Sequence, residues 1–172
     1  MGSFRRVGKP TLLAVVAVAV WAAAASAAGA APKPSGAVYV STDASAGAVG
    51  ANCGTAAYSS IGAAVGAVAS GGTVIVCPGT YREDVIVDKP LTLMGQGAVT
   101  IDATGLENAI QVVSSNVTVR NFSLLNANGE GLLVGIDSFA DFGLLPSDSP
   151  VIQNVLVDNV KANNDNKGFN GT

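Results

Sequence analysis

The sequence has 172 residues, enough for one domain, and is 49% apolar but only 5% aromatic, with no histidine. Small and β-branched side chains of this kind suit flat, stacked strands better than the core of a globular α/β protein. Past a basic N-terminal leader, twelve acids stand against six bases with no basic cluster, which argues against a nucleic-acid binder.

In that leader Arg5, Arg6 and Lys9 form a basic head, Leu12 to Ala25 an apolar run, and Ala25-Ser26-Ala27 an A-x-A cleavage site. Residues 1–27 are therefore expected to be a signal peptide. The apolar run is near the lower limit for a membrane span, so a retained anchor is the alternative. The paired arginines lack the pattern of a twin-arginine signal, which favours general secretion. The expected location is secreted or extracellular, with the bacterial cell envelope included and no membrane contact after cleavage.

Residues 28–36 are rich in Ala, Pro, Gly and Ser and read as a flexible linker. Ala37 to Val40 alternates as a first strand. Ser41 to Thr55 is small, polar and Gly-rich, hence a loop. A short helix is predicted next, capped by Ser59 or Ser60, with Ile61, Ala64, Val65 and Val68 on one apolar face and Gly71-Gly72 as its stop. The helix is placed to cover the end of the strand stack. Cys53 and Cys77, an even count in an exported chain, are expected to form a disulfide that closes a loop of about 25 residues, against the alternative of two buried thiols. Two cysteines without histidine leave no expected metal centre.

From Val85 onward the chain repeats. Val85-Ile-Val87, Leu91-Thr-Leu93 and Val99-Thr-Ile101 alternate at period two, and the triplet returns as Ile110-Gln-Val112, Val117-Thr-Val119 and Phe122-Ser-Leu124, at offsets of 25, 26 and 23 residues. Asn116-Val-Thr-Val-Arg-Asn121 returns once more as Asn154-Val-Leu-Val-Asp-Asn159, 38 residues on. Short strands repeating in this way predict an all-β solenoid with three strands per coil, each strand stacked on its counterpart. Asn121 and Asn159 share a bend between strands, where Asn tolerates the left-handed conformation and its amide can bond the next copy, so a structural Asn ladder is expected. Arg120 and Asp158 share the preceding position, which would permit a stacked ion pair.

The run Gly72-Thr-Val-Ile-Val-Cys-Pro-Gly-Thr-Tyr-Arg-Glu-Asp-Val85, followed by Lys89-Pro-Leu-Thr-Leu-Met-Gly-Gln-Gly97, resembles the N-terminal coils of the right-handed parallel β-helix proteins, the pectin lyase-like superfamily. The resemblance covers about Tyr39 to the C-terminus and is weaker after Val134. It implies that residues 37–172 are a right-handed parallel β-helix domain with a short N-terminal capping helix. Phe169 would open another coil and no closing cap is visible, so the domain is expected to be incomplete at its C-terminal end, the alternative being a last coil that meets a partner. The resemblance also implies a carbohydrate-directed activity of lyase or esterase type, with calcium as the cofactor that the lyases would bring.

Residues 136–150 interrupt the repeat, and this insertion is the expected binding face. It holds Asp137 and Asp141 as catalytic candidates and Phe139, Phe142 and Asp148 as substrate-binding candidates. Gly135-Ile-Asp-Ser-Phe-Ala-Asp-Phe-Gly143 is superficially similar to the esterase Gly-x-x-Asp-Phe signature, but the supporting glutamine motifs are absent. The three aspartates lack compact ligand spacing and no Arg or Lys lies among them, so a solvated loop competes with a site. Arg82, Glu83 and Asp84 read as a solvated turn. The expected function is a secreted protein that binds or processes an extracellular uronate-type polysaccharide; the alternative is a non-catalytic structural or adhesion module of the cell surface.

Overall fold

A computed structural model describes residues 34–45, 50–136, 151–163 and 169–171. The leader read over 1–27 lies outside the described residues. So do the insertion candidates Asp137, Phe139, Asp141, Phe142 and Asp148. No helix among the described residues is long and apolar enough to cross a membrane.

The described chain is all-β apart from one short helix and one turn of 3-10 helix, and its strands pair in parallel. In order they are β1 (Ala37–Val40), α1 (Ile61–Ala67), β2 (Thr73–Val76), β3 (Gly79–Tyr81), β4 (Val85–Val87), β5 (Leu91–Gly95), β6 (Val99–Asp102), β7 (Ile110–Val112), β8 (Val117–Leu125), β9 (Leu132–Val134), β10 (Val155–Asn163) and β11 (Phe169–Gly171). Each strand pairs with one a full repeat away: β2 with β5, β3 with β6, β4 with β7, and then β5 and β6 with the two halves of β8. The sequence offsets reappear as registers, with Val85 beside Ile110, Leu91 beside Val117, Ile101 beside Leu124 and Val155 beside Val117.

Alternation decides which side chains fill the interior. Val74, Leu93 and Val119 share one inward row and Ile101 and Leu124 another, and all five are fully buried. Burying a row of Val and Leu contributes about 1.5–3 kcal/mol per side chain relative to exposure, which is the main force holding successive repeats together.

β8 and β10 are continuous strands bent at one residue, where separate short strands divided by a turn are predicted. Asn121 (φ 64°) and Asn159 (φ 49°) make those bends in the left-handed region. Asn159 Nδ2 donates to Asn121 Oδ1 at 3.1 Å, and Asn121 Nδ2 donates to the Gly95 carbonyl at 3.3 Å. A second stack joins Asn154 Nδ2 to Asn116 Oδ1 at 3.0 Å, both residues also at positive φ. Gly95 sits where the Asn121 backbone passes so close that a Cβ would collide with its carbonyl oxygen. Glycine is required there by contact rather than by its dihedral freedom.

At the N-terminal end α1 buries Ile61, Ala64 and Val65, with Val68 behind them, against the strands. Ser60 is its N-cap, and its hydroxyl accepts from Ala63 N at 3.3 Å. The helix stops at Ala67, before the Gly71-Gly72 pair, because Val68 turns to extended backbone and is fully buried. The Cys53–Cys77 disulfide is formed and ties the 3-10 turn Cys53–Thr55 to the end of β2. Beside it the buried Tyr81 hydroxyl donates to Cys77 O at 2.9 Å, and burial pushes the phenol above its ordinary range. Within the stretch read as a linker, the Pro34 carbonyl accepts from Ala69 N at 2.9 Å and the Gly36 carbonyl from Thr73 N, so ordered pairing begins before Ala37.

Two further differences have physical reasons. Val151-Ile-Gln alternates like a strand but does not form one: β9 already fills the place beside β7, and Val151 is 79% exposed. The Arg82-Glu83-Asp84 turn is not simply solvated. The Glu83 carboxylate accepts from Ser60 Oγ, Ile61 N and Gly62 N, each at 2.9 Å, and so caps α1 from one repeat away.

Candidate functional site

The outward residues of the long sheet line up in two columns. Thr73, Thr92 and Thr118 stand beside one another on β2, β5 and β8. The neighbouring column runs Tyr39, Ile75, Met94, Arg120 and Asp158, across β1, β2, β5, β8 and β10. Alternation puts both columns on the face opposite the core, and parallel pairing spaces their members by about 4.8 Å. From Tyr39 to Arg120 the face therefore spans about 14 Å, three strand spacings.

The two ends of this face differ in chemistry. At the β1 end, Tyr39 and Tyr58 line a pocket of about 150 Å³ with Pro34 and Ala57. At the other end Arg120 is exposed, and its guanidinium reaches Met94 Sδ at 2.9 Å. A thioether is a weak acceptor, and no carboxylate engages Arg120 among the described residues. Asp158 stands beside it in register, yet the stacked ion pair that these positions permit is not made. Elsewhere Lys89 pairs with Asp88, at 3.8 Å.

Past the Asn bend, Thr80, Thr100, Ser123 and Lys161 continue as a polar outward column. Asn121, Ser123, Asn159 and Lys161 line a shallow pocket of about 170 Å³ there, with Gly97 at its edge. Asp102 lies nearby on β6. Its carboxylate accepts from Thr104 Oγ1 at 2.6 Å, Thr104 N at 3.1 Å and Asn126 Nδ2 at 2.9 Å, and these bonds hold it below the usual aspartate range. Arg82 donates to the Thr104 carbonyl at 2.7 Å, bracing the same loop.

The outer side of the short sheet, where Ile86, Gln111 and Leu133 align, is not an open groove. Gln111 and Leu133 are buried, and Gln111 Nε2 donates to Gly135 O at 3.1 Å. Asn108 is buried as well, its Oδ1 accepting from Glu130 N. No group of three or more His, Cys, Asp or Glu able to hold a metal occurs among the described residues.

Comparison with protein-family models, with curated proteins and with solved structures finds no match. The site therefore rests on geometry alone. Hydroxyl columns, a pair of tyrosines and an unpaired guanidinium on one flat face can bind an extended polar ligand, with the guanidinium taking a carboxylate in bidentate fashion. The repeat marks Arg120 as a stacked position beside Asp158 but carries no signal for this outward face. The placement of Arg120 beside Met94 follows from the 26-residue register and was available in the repeat.

Proposed function

We propose that the chain is a right-handed parallel β-helix of the pectin lyase-like kind, exported, and that it binds an extracellular uronate-type polysaccharide along the outer face of its long sheet. The pairing of each strand with its counterpart one repeat on supports a solenoid of three strands per coil, and the strong preference for right-handed crossovers between parallel strands supports the hand. The observation that carries the ligand is Arg120, an exposed guanidinium that, among the described residues, is held by a thioether alone, beside the column Thr73, Thr92 and Thr118. Sugar hydroxyls bond the threonines, the apolar face of a ring rests on Tyr39 and Tyr58, and a uronate carboxylate pairs with Arg120.

Binding, rather than bond cleavage, is what this face supplies, since among the described residues no acid pair converges with an Arg or Lys on it. Processing chemistry, and any calcium, would belong to Asp137, Asp141 and Asp148 of the insertion. The Asn ladders support the second reading, a stiff non-catalytic surface module, because they stabilise the stack without touching a ligand. The test is titration with polygalacturonate and with the same polymer after its carboxyl groups are reduced to alcohols. Arg120→Ala is expected to weaken binding of the acidic polymer by about ten-fold, as loss of a charge-assisted bidentate contact would, and to leave the reduced polymer unaffected. Equal affinity for both polymers, or an unchanged Arg120→Ala variant, rejects the uronate reading.

A further inference from the structure

Charge and apolarity are spread unevenly along the outer face of the long sheet. One outward column runs Ala37, Thr73, Thr92 and Thr118 and offers hydroxyls from β2 to β8. The other runs Tyr39, Ile75, Met94 and Arg120, so uncharged side chains lead up to a single cation at the far end. Ile75 and Met94 are half-buried, whereas Arg120 is exposed. Among the described residues no second Arg or Lys stands in either column, and the position that follows Arg120 is an acid, Asp158.

This pattern discriminates between charged and uncharged sugar units. A carboxylate laid over Ile75 or Met94 sheds water and gains no partner, which is unfavourable. An uncharged sugar there has no such penalty. Its apolar ring face covers the side chain, and its hydroxyls reach the threonine column, two residues or about 7 Å away along each strand. A carboxylate is welcome at Arg120 alone, at the end of the span of about 14 Å that begins at Tyr39.

We infer that the face selects a polysaccharide in which uronate units are separated by uncharged ones, and that Ile75 and Met94 are the residues that set this preference. The inference rests on the uronate reading of Arg120 and narrows its ligand class. The charge of the chain acts in the same direction. Past the leader twelve acids stand against six bases, and this net negative charge repels a polymer with an acid on every unit more than one with few.

The experiment is titration of the protein with one polygalacturonate whose carboxyl groups are reduced to alcohols in graded steps, at fixed chain length and ionic strength. Affinity is expected to peak at partial reduction, about five-fold or more above the unreduced polymer, which itself stays above the fully reduced one. Ile75→Lys places a cation in the middle of the column. It is expected to raise affinity for the unreduced polymer by about ten-fold and to move the peak toward it, as a second charge-assisted contact would. Circular dichroism matching the parent checks that this outward position tolerates the change. Affinity that falls steadily from the unreduced polymer overturns the spacing preference and leaves the uronate reading standing. Affinity that is flat, or that rises steadily to the fully reduced polymer, overturns both. A folded Ile75→Lys variant that keeps the parent's peak overturns the role given to Ile75.

Discussion

Replacing Glu83 by alanine tests how the end of the stack is held. Its carboxylate accepts three hydrogen bonds at 2.9 Å, two of them from the Ile61 and Gly62 amides that a helix start leaves without intrahelical partners. Bonds to a charged acceptor contribute about 1.5–3 kcal/mol each when buried, while loss of a typical N-cap costs about 1 kcal/mol. Glu83 is half-buried, so water recovers part of what is lost, and Ser60 still caps Ala63. The net expectation for Glu83→Ala is about 3 kcal/mol, and for Glu83→Gln, which keeps one acceptor oxygen, about half of that. At roughly 3 °C per kcal/mol for a domain of this size, melting should fall by about 9 °C for Ala and about 4 °C for Gln. Thermal unfolding followed by circular dichroism measures both. A fall below about 1 °C in both variants would refute the idea that the turn before β4 caps α1.

Three other outcomes follow from the packing. Gly95→Ala forces a Cβ onto the Asn121 carbonyl and is expected to cost about 3 kcal/mol or more in a denaturant titration, whereas Gly66→Ala, in α1 with open space around it, should stabilise by about 0.5–1 kcal/mol. Reduction of the Cys53–Cys77 bond, or Cys77→Ala, is expected to remove about 3 kcal/mol, read as a lower midpoint in urea with and without reductant. Asp102 has a folded-state pKa below the ordinary 3.8, so its bonds to Thr104 and Asn126 stabilise the fold above that pH, and the stabilisation is lost as pH falls through the lower folded-state value. Asp102→Asn should abolish this part of the acid dependence, leaving unfolding below pH 3.8 less steep than in the parent.

Much of the architecture was legible in the repeat because strand stacking is local and periodic. The offsets of 25, 26, 23 and 38 residues are the registers of the paired strands, and the shared place of Asn121 and Asn159 is the shared bend. What escaped the sequence is what depends on contacts between unlike segments. Nothing local to Arg82-Glu83-Asp84 says that a carboxylate there will meet a helix start more than twenty residues earlier. β3 (Gly-Thr-Tyr) and β9 (Leu-Leu-Val) lack the repeating pattern by which the equally short β4 and β7 stand out. Val151-Ile-Gln alternates as well as a true strand does, and only the prior occupation of its place by β9 excludes it. The expected binding residues of the insertion, Asp137, Phe139, Asp141, Phe142 and Asp148, lie outside the described residues. The face of Thr73, Thr92, Thr118 and Arg120 arises from outward positions, which carry weak sequence signals because solvent constrains them little.

The most direct test of the central claim is a crystal structure of the protein with a short oligogalacturonate. The account predicts the sugar along the column Thr73, Thr92 and Thr118, with one carboxylate paired to Arg120 and a ring against Tyr39 and Tyr58. An oligosaccharide bound only against the insertion, or a saturating soak that leaves Arg120 on Met94, would contradict it.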